Sequence, residues 1–310
     1  MQSMLRRRQP RRALLGILLS VIASPAIAQT CDPVGATSLS QACGGPSWCF
    51  DSGAQAPVFP PSSSSIFHVF TDPTFLDFQV SGTGIVNVGS FGATAHASGF
   101  TKVDRATHGA GAQVDGTFSD CATAGGYSGA GVLHIPIHLT GSRAITYTPG
   151  GYTPPPPPSP PPSRAQLRIV CAAATVGSGA ATPCDDPQIF WETSGDIDTT
   201  VELVFGFTFG QPVEFQFGPQ LLASVGDPGS GDVDATGVLT GDADVTLAGT
   251  LLSARITDVG GSLLPGATFE ANSGFDYLTA PEPSGSGAAA GIALALLRRG
   301  RQGFAMMRCA

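Results

Sequence analysis

The chain is 310 residues long, 42% hydrophobic and only 12% charged, with 41 Gly, 26 Pro and a formal net charge of −8. That figure hides a division: all 23 acidic residues lie between Asp32 and Glu282, where only Lys102, Arg105, Arg143, Arg164, Arg168 and Arg255 oppose them, giving this stretch a net −17. So acidic a body repels nucleic acid and anionic membrane surfaces, which excludes both as partners of its general surface.

The first element is a targeting segment. Arg6, Arg7, Arg8, Arg11 and Arg12 precede the apolar run 13–23, and Ala26-Ile27-Ala28 stands immediately before Gln29. A basic start, an apolar run of about 7–15 residues and a small-x-small site predict a secretory signal peptide over residues 1–28. Signal peptidase is then a partner, cutting between Ala28 and Gln29. The run is too short to span ~30 Å of hydrocarbon as a retained anchor.

Export sets the expectation for the cysteines. Of seven, Cys309 lies in the tail and Cys31, Cys43, Cys49, Cys121, Cys171 and Cys184 lie in the body. An even six in an exported chain predicts disulfides, with 15 possible connectivities. Cys171 and Cys184 flank a Gly/Ala/Thr loop and are expected to pair. One of Cys31, Cys43 and Cys49 must reach elsewhere, and Cys121 remains for it. With Cys43-Gly44-Gly45-Pro46 and Ser62 to Ser65 as breakers, residues 29–65 read as a disulfide-tethered irregular segment leading to a first strand near Ile66.

Residues 66–279 read as an all-β body, because short alternating runs recur between Gly, Pro and Asp with no long helical periodicity. Leu76, Phe78 and Val80 form one inward row; Leu133, Ile135, Ile137 and Leu139 form another. Val201, Leu203, Phe205, Phe207 and Phe209 share a face, as do Val213, Phe215 and Phe217. Residues 244–256 predict a long strand or bent strand pair with a bulge at Gly249. One face apolar and one polar is the pattern of antiparallel sheets packed together. The prediction is a single antiparallel jelly-roll-like β-sandwich, with residues 150–163 an exposed proline-rich loop of extended polyproline character.

Candidate chemistry in the body is sparse. His134 and His138 lie four apart on one strand, opposite the inward row, about 13 Å from each other and too distant to share a metal. Aspartates repeat at i, i+2 in Asp196/Asp198, Asp232/Asp234 and Asp242/Asp244; in a loop such pairs can converge on Ca²⁺, and on a strand edge they are solvated charge. Calcium is the one cofactor considered, at Asp232, Asp234, Asp242 and Asp244; no resident cofactor is expected. No G-x-S-x-G occurs, since Gly126-Tyr127-Ser128-Gly129-Ala130 fails at its last position. Glu192, Glu202, Glu214 and Glu270 are the carboxylates a glycosidase would draw on. Phe190 and Trp191 beside Glu192 are a candidate sugar-stacking platform, or alternatively core aromatics at a strand start.

The chain closes on a second targeting pattern. Pro281-Glu282-Pro283 leads through small residues to the apolar stretch 288–297 and then to Arg298, Arg299 and Arg301. In this order and position the tail, residues 280–301, resembles the PEP-CTERM sorting domain of Gram-negative bacteria, followed here by a trailing segment 302–310. The resemblance implies an exosortase-type membrane enzyme as processing partner and transient insertion in the inner membrane before release to the outer envelope or medium. Two prolines around a glutamate hold that segment extended, and the arginines hold the far end of a short hydrophobic helix on the cytoplasmic side. The glycine-rich strands and the closing Ser273-Gly274-Phe275-Asp276-Tyr277 also resemble β-sandwich bodies that carry such tails. The expected function is an exported, non-enzymatic envelope or extracellular-matrix protein, associated with exopolysaccharide. A glycan-binding jelly roll is the alternative, and a secreted glycoside hydrolase the third reading.

Overall fold

The computed structural model describes residues 34–44, 48–58, 61–72, 76–102, 109–148, 163–176, 181–184, 187–191, 193–226 and 238–279. The signal peptide, the proline run up to residue 162 and the sorting tail lie outside them. Among the described residues all regular structure is β. The strands are β1 (Gly35–Gly44), β2 (Trp48–Val58), β3 (Ser62–Asp72), β4 (Leu76–Asn87), β5 (Ser90–Lys102), β6 (Gly109–Gly125), β7 (Ala130–Thr148) and β8 (Ser163–Thr175). They continue as β9 (Ala181–Pro183), β10 (Gln188–Trp191), β11 (Gly195–Thr208), β12 (Pro212–Gly226), β13 (Val238–Leu251), β14 (Arg255–Thr257) and β15 (Thr268–Ala271).

They form two antiparallel sheets. The first runs β10-β8-β12-β6-β1-β2, with β15 also on β6 and β9 on β8; the second runs β11-β7-β13-β5-β4-β3, with β14 on β7. From β5 to β8, and again from β11 to β13, consecutive long strands cross from one sheet to the other, as in a jelly roll. Strands from both sides of the proline run pair directly in both sheets, β12 and β15 with β6 in the first and β11 and β13 with β7 in the second, so the body is one sandwich. Ser163, assigned above to the proline loop, is the first residue of β8 and is buried.

The predicted inward rows fill the interlayer. Leu133, Ile135, Ile137 and Leu139 are fully buried, as are Phe78, Val80 and Leu203, and Phe205, Phe207, Phe209, Val213, Phe215 and Phe217 join them in one core. In each row the alternate residues are half-buried or exposed, which is why period two was readable.

Two expectations are corrected. Residues 35–58 are not irregular: β1 pairs with β6 along its whole length and with β2 on its other side. The inward row of β1 is Ala36, Ser38, Ser40 and Ala42, all buried; these small residues suit a place where the sheets approach closely. A Cβ added to Gly84, on the facing sheet, would lie 2.7 Å from both Ser38 Oγ and Val114 Cγ1. The second correction is Gly249. The 244–256 pair exists, split between β13 and β14, but the ladder runs through Gly249 without a bulge, opposite Phe91 on one side and Leu139 on the other. A Cβ there would meet the Phe91 ring at 2.2 Å, so the missing side chain makes room for a neighbour's ring.

Candidate functional site

The most elaborate polar construction in the body joins its end to its middle. On β6 the inward row reads Phe118, Asp120, Ala122 and Ala124, placing a carboxylate, 1% exposed, among apolar neighbours. An isolated charge there would be costly, but this one has four donors. Asp120 Oδ1 accepts from the backbone N–H of Cys121 (2.8 Å) and Ser273 (3.1 Å). Its Oδ2 accepts from Tyr277 Oη (2.9 Å) and, in a short bond, from Ser273 Oγ.

Two of those residues belong to the Ser273-to-Tyr277 motif singled out in the sequence. Tyr277 is fully buried against Phe215, Phe269 and Phe275, at ring separations of 5.4, 5.8 and 4.8 Å. Burial pushes its hydroxyl well above the usual range, and the Asp120 charge adds to that. Backbone bonds reinforce the attachment, from Asn272 N to Cys121 O (2.8 Å) and from Ala254 N to Tyr277 O (2.7 Å). Asp276 then closes a turn, accepting from the backbone N–H of Leu278 and Thr279 at 3.0 and 3.2 Å. The Thr279 hydroxyl, followed by these amides, holds the Asp276 carboxyl below its usual range. The chain is thus pinned to β6 as far as Tyr277, and the local turn carries it to Thr279, two residues before Pro281. Between β15 and this closing segment runs an open groove of ≈ 460 Å³, lined in part by Phe269, Glu270, Phe275, Asp276 and Leu278.

The outer face of the second sheet gathers the histidines and several acids. His134 and His138 lie on it, as predicted, but each faces a carboxylate across the strand. His134 Nδ1 is 3.4 Å from Glu202 Oε2, and His138 Nε2 is 3.6 Å from Asp198 Oδ1. Arg255 Nη2 binds Glu202 Oε1 at 2.8 Å, and His134 Nε2 stands 3.2 Å from Thr257 Oγ1. Thr257, His134 and Glu202 therefore repeat the hydroxyl–imidazole–carboxylate order of a nucleophile relay. Thr257 is only 4% exposed, however, which keeps its hydroxyl from a substrate; the chain of contacts ties β14 to β7 and β11.

Asp242 and Asp244 stand on β13 rather than on a loop, and their neighbour is an imidazole: His96 Nδ1 is 3.8 Å from Asp244 Oδ2. Burial pushes the Asp242 carboxyl up, partly offset by His96. Asp232 and Asp234 lie outside the described residues. Among the described residues no group of three His, Cys, Asp or Glu is arranged to hold a metal ion, so the convergent-loop geometry considered for calcium at Asp242 and Asp244 does not form.

The sugar platform is also corrected. Trp191 ends β10 buried in the core, with the Arg143 guanidinium 5.7 Å from its ring centre. Arg143 itself donates to the carbonyls of Thr193 and Asp196 at 2.8 and 2.6 Å. Only Phe190 of the pair faces solvent, and Glu192 lies outside the described residues. Glu202 sits on a different sheet from Glu214 and Glu270. The latter two flank β6 from opposite sides, Glu270 across from Thr123 and Glu214 across from Cys121. Two strand spacings and a two-residue offset separate them by roughly 12 Å, beyond the about 5–9.5 Å of a glycosidase pair.

Cys171 and Cys184 are disulfide-bonded, Cα to Cα 5.6 Å, as the spacing suggested. Cys43 and Cys121 are each disulfide-bonded as well, though not to one another, since Cys43 stands opposite Gly111 on β6; the β1–β2 register sets Cys49 directly opposite Cys43. Cys31 lies outside the described residues.

Sequence reasoning missed Asp120 as a key residue. Its signal was present: an acid at an inward position of an otherwise Gly/Phe/Ala row. Neither a protein-family model nor a curated protein nor a solved structure matches this chain.

Proposed function

We propose that this is an exported, non-enzymatic protein of the bacterial cell envelope or extracellular matrix, delivered by the 1–28 signal and trimmed at its C-terminal sorting tail. The observation that carries the reading is the closure at Thr279. Asp120, Ser273 and Tyr277 fasten the last described residues to the body shortly before Pro281-Glu282-Pro283, so a cut beyond the triplet leaves these contacts in place. The acidic surface and the scattered carboxylates support a structural rather than a catalytic role.

Intact-mass analysis of the secreted protein tests it. The mature species is expected to begin at Gln29 and to end near the triplet, without residues 288–310. Replacing Pro281, Glu282 and Pro283 together by alanine should leave uncut protein at the inner membrane, because alanines let a helix grow back over the extended segment a protease binds. Secreted wild-type protein that still carries Cys309 would overturn the reading.

A further inference from the structure

The four lateral edges of the sandwich are not equally guarded. A strand edge offers unpaired N–H and C=O groups to any other strand, and proteins blunt it with charge, proline or shortness. In the first sheet, β10 has only four residues, and β2 carries Asp51 and Pro57. In the second sheet, β11 carries Asp196, Asp198 and Glu202. The remaining edge, β3, is 11 residues long and, among the described residues, is hydrogen-bonded within the sheet to β4 alone. Of Asp, Glu, Lys, Arg and Pro it holds only Asp72, its last residue, which in an antiparallel pair centred on Phe67 faces Ser62 and not a carboxylate. Along its outward row stand Phe67, 66% exposed, and Val69, 39% exposed.

We infer that β3 is a self-association edge, pairing antiparallel with β3 of a second copy about a two-fold axis near Phe67. The choice of occupant follows from charge. Two bodies of net −17 repel wherever acidic surface meets acidic surface, and β3 is a long edge on which like copies can approach without opposing carboxylates. An isologous contact is self-complementary by symmetry. With Phe67 at the midpoint of the 11-residue strand, antiparallel pairing sets it opposite its own counterpart and brings Val69 opposite Ser65 of the second copy. The second sheet then continues across both copies. This inference rests on the edge itself and not on the sorting tail.

The test is the oligomeric state of the oxidised, mature body, by sedimentation at several concentrations between about 0.01 and 1 M salt. A dimer is expected that strengthens with salt, as screening relieves the repulsion. Phe67→Lys should weaken it about tenfold or more, since like charges then face each other across the pair. Thr200→Lys, on the opposite edge, should leave it intact, and unchanged thermal unfolding would show that both variants fold. With oxidised glutathione added as the two-electron acceptor, Phe67→Cys should cross-link the dimer through a new disulfide. A wild-type body that stays monomeric throughout, a dimer indifferent to Phe67→Lys, or one broken only by Thr200→Lys would each overturn the inference, as would assembly only with a different protein.

Discussion

Rings fill one end of the interlayer and hydroxyls the other. Where β11, β12 and β15 face each other, Phe205 stacks on Phe215 at 5.4 Å, and Phe269 and Tyr277 close around them. Where β1 faces β3 and β4, Ser64 Oγ lies 2.8 and 2.7 Å from the hydroxyls of Ser38 and Ser40, amid alanines and Gly84. Both ends are buried, but they bury different things. Rings remove large apolar areas from water; serines exchange hydrogen bonds with water for hydrogen bonds with each other, at small net gain. The packing therefore concentrates stability at the ring end, where the described body also finishes, and leaves the serine end thin.

The comparison breaks first at Phe215. Phe215→Ala should cost about 3–5 kcal/mol in denaturant unfolding of the oxidised body, because it empties a site bordered by four other rings. Asp120→Asn is the next largest effect. It replaces one acceptor oxygen by a donor facing donors, for about 2–3 kcal/mol, and should raise hydrogen exchange and proteolysis over residues 268–279 while β4 and β5 stay protected. Uniform loss of protection would show that the closing segment is not a separable latch.

The same latch predicts a pH dependence. The folded state keeps the Tyr277 proton above 10.0, where the unfolded chain releases it. Its contribution is therefore complete below pH 10 and is lost as pH rises, at up to about 1.4 kcal/mol per unit. Tyr277→Phe should flatten the fall in unfolding midpoint on the alkaline side. The smallest effect belongs to the serine end: Ser64→Ala should cost about 1 kcal/mol. A loss there as large as that of Phe215→Ala would invalidate the contrast.

That contrast also explains what could be read from the sequence. The inward rows of β7, β11 and β12 are large and apolar, so period two identified them and the sandwich with them. The inward row of β1 is Ala, Ser, Ser, Ala, which alternates by burial but not by hydropathy, and 35–58 accordingly read as irregular. Trp191 was ambiguous because a four-residue strand carries too few positions to fix parity. Asp120 was hidden by the opposite fault: a charged residue in an inward row looks like a break in the pattern until its four donors, all but one supplied from 153 or more residues away, are brought beside it. The 13-residue Cys171–Cys184 separation was legible because it is local.

The order of strands in the first sheet has a consequence in time. Strand β6 lies between β1 and β12 and also receives β15, so its partners come from both ends of the chain, and the donors to Asp120 arrive with the last of them. A chain emerging from its N-terminus cannot complete this sheet until β12 has followed, nor saturate the buried carboxylate until residues 273–277 have appeared. Pairings of such long sequence separation form late and slowly. Under the export proposed above, that delay would keep the chain threadable, since the fold cannot lock before most of the body has been made.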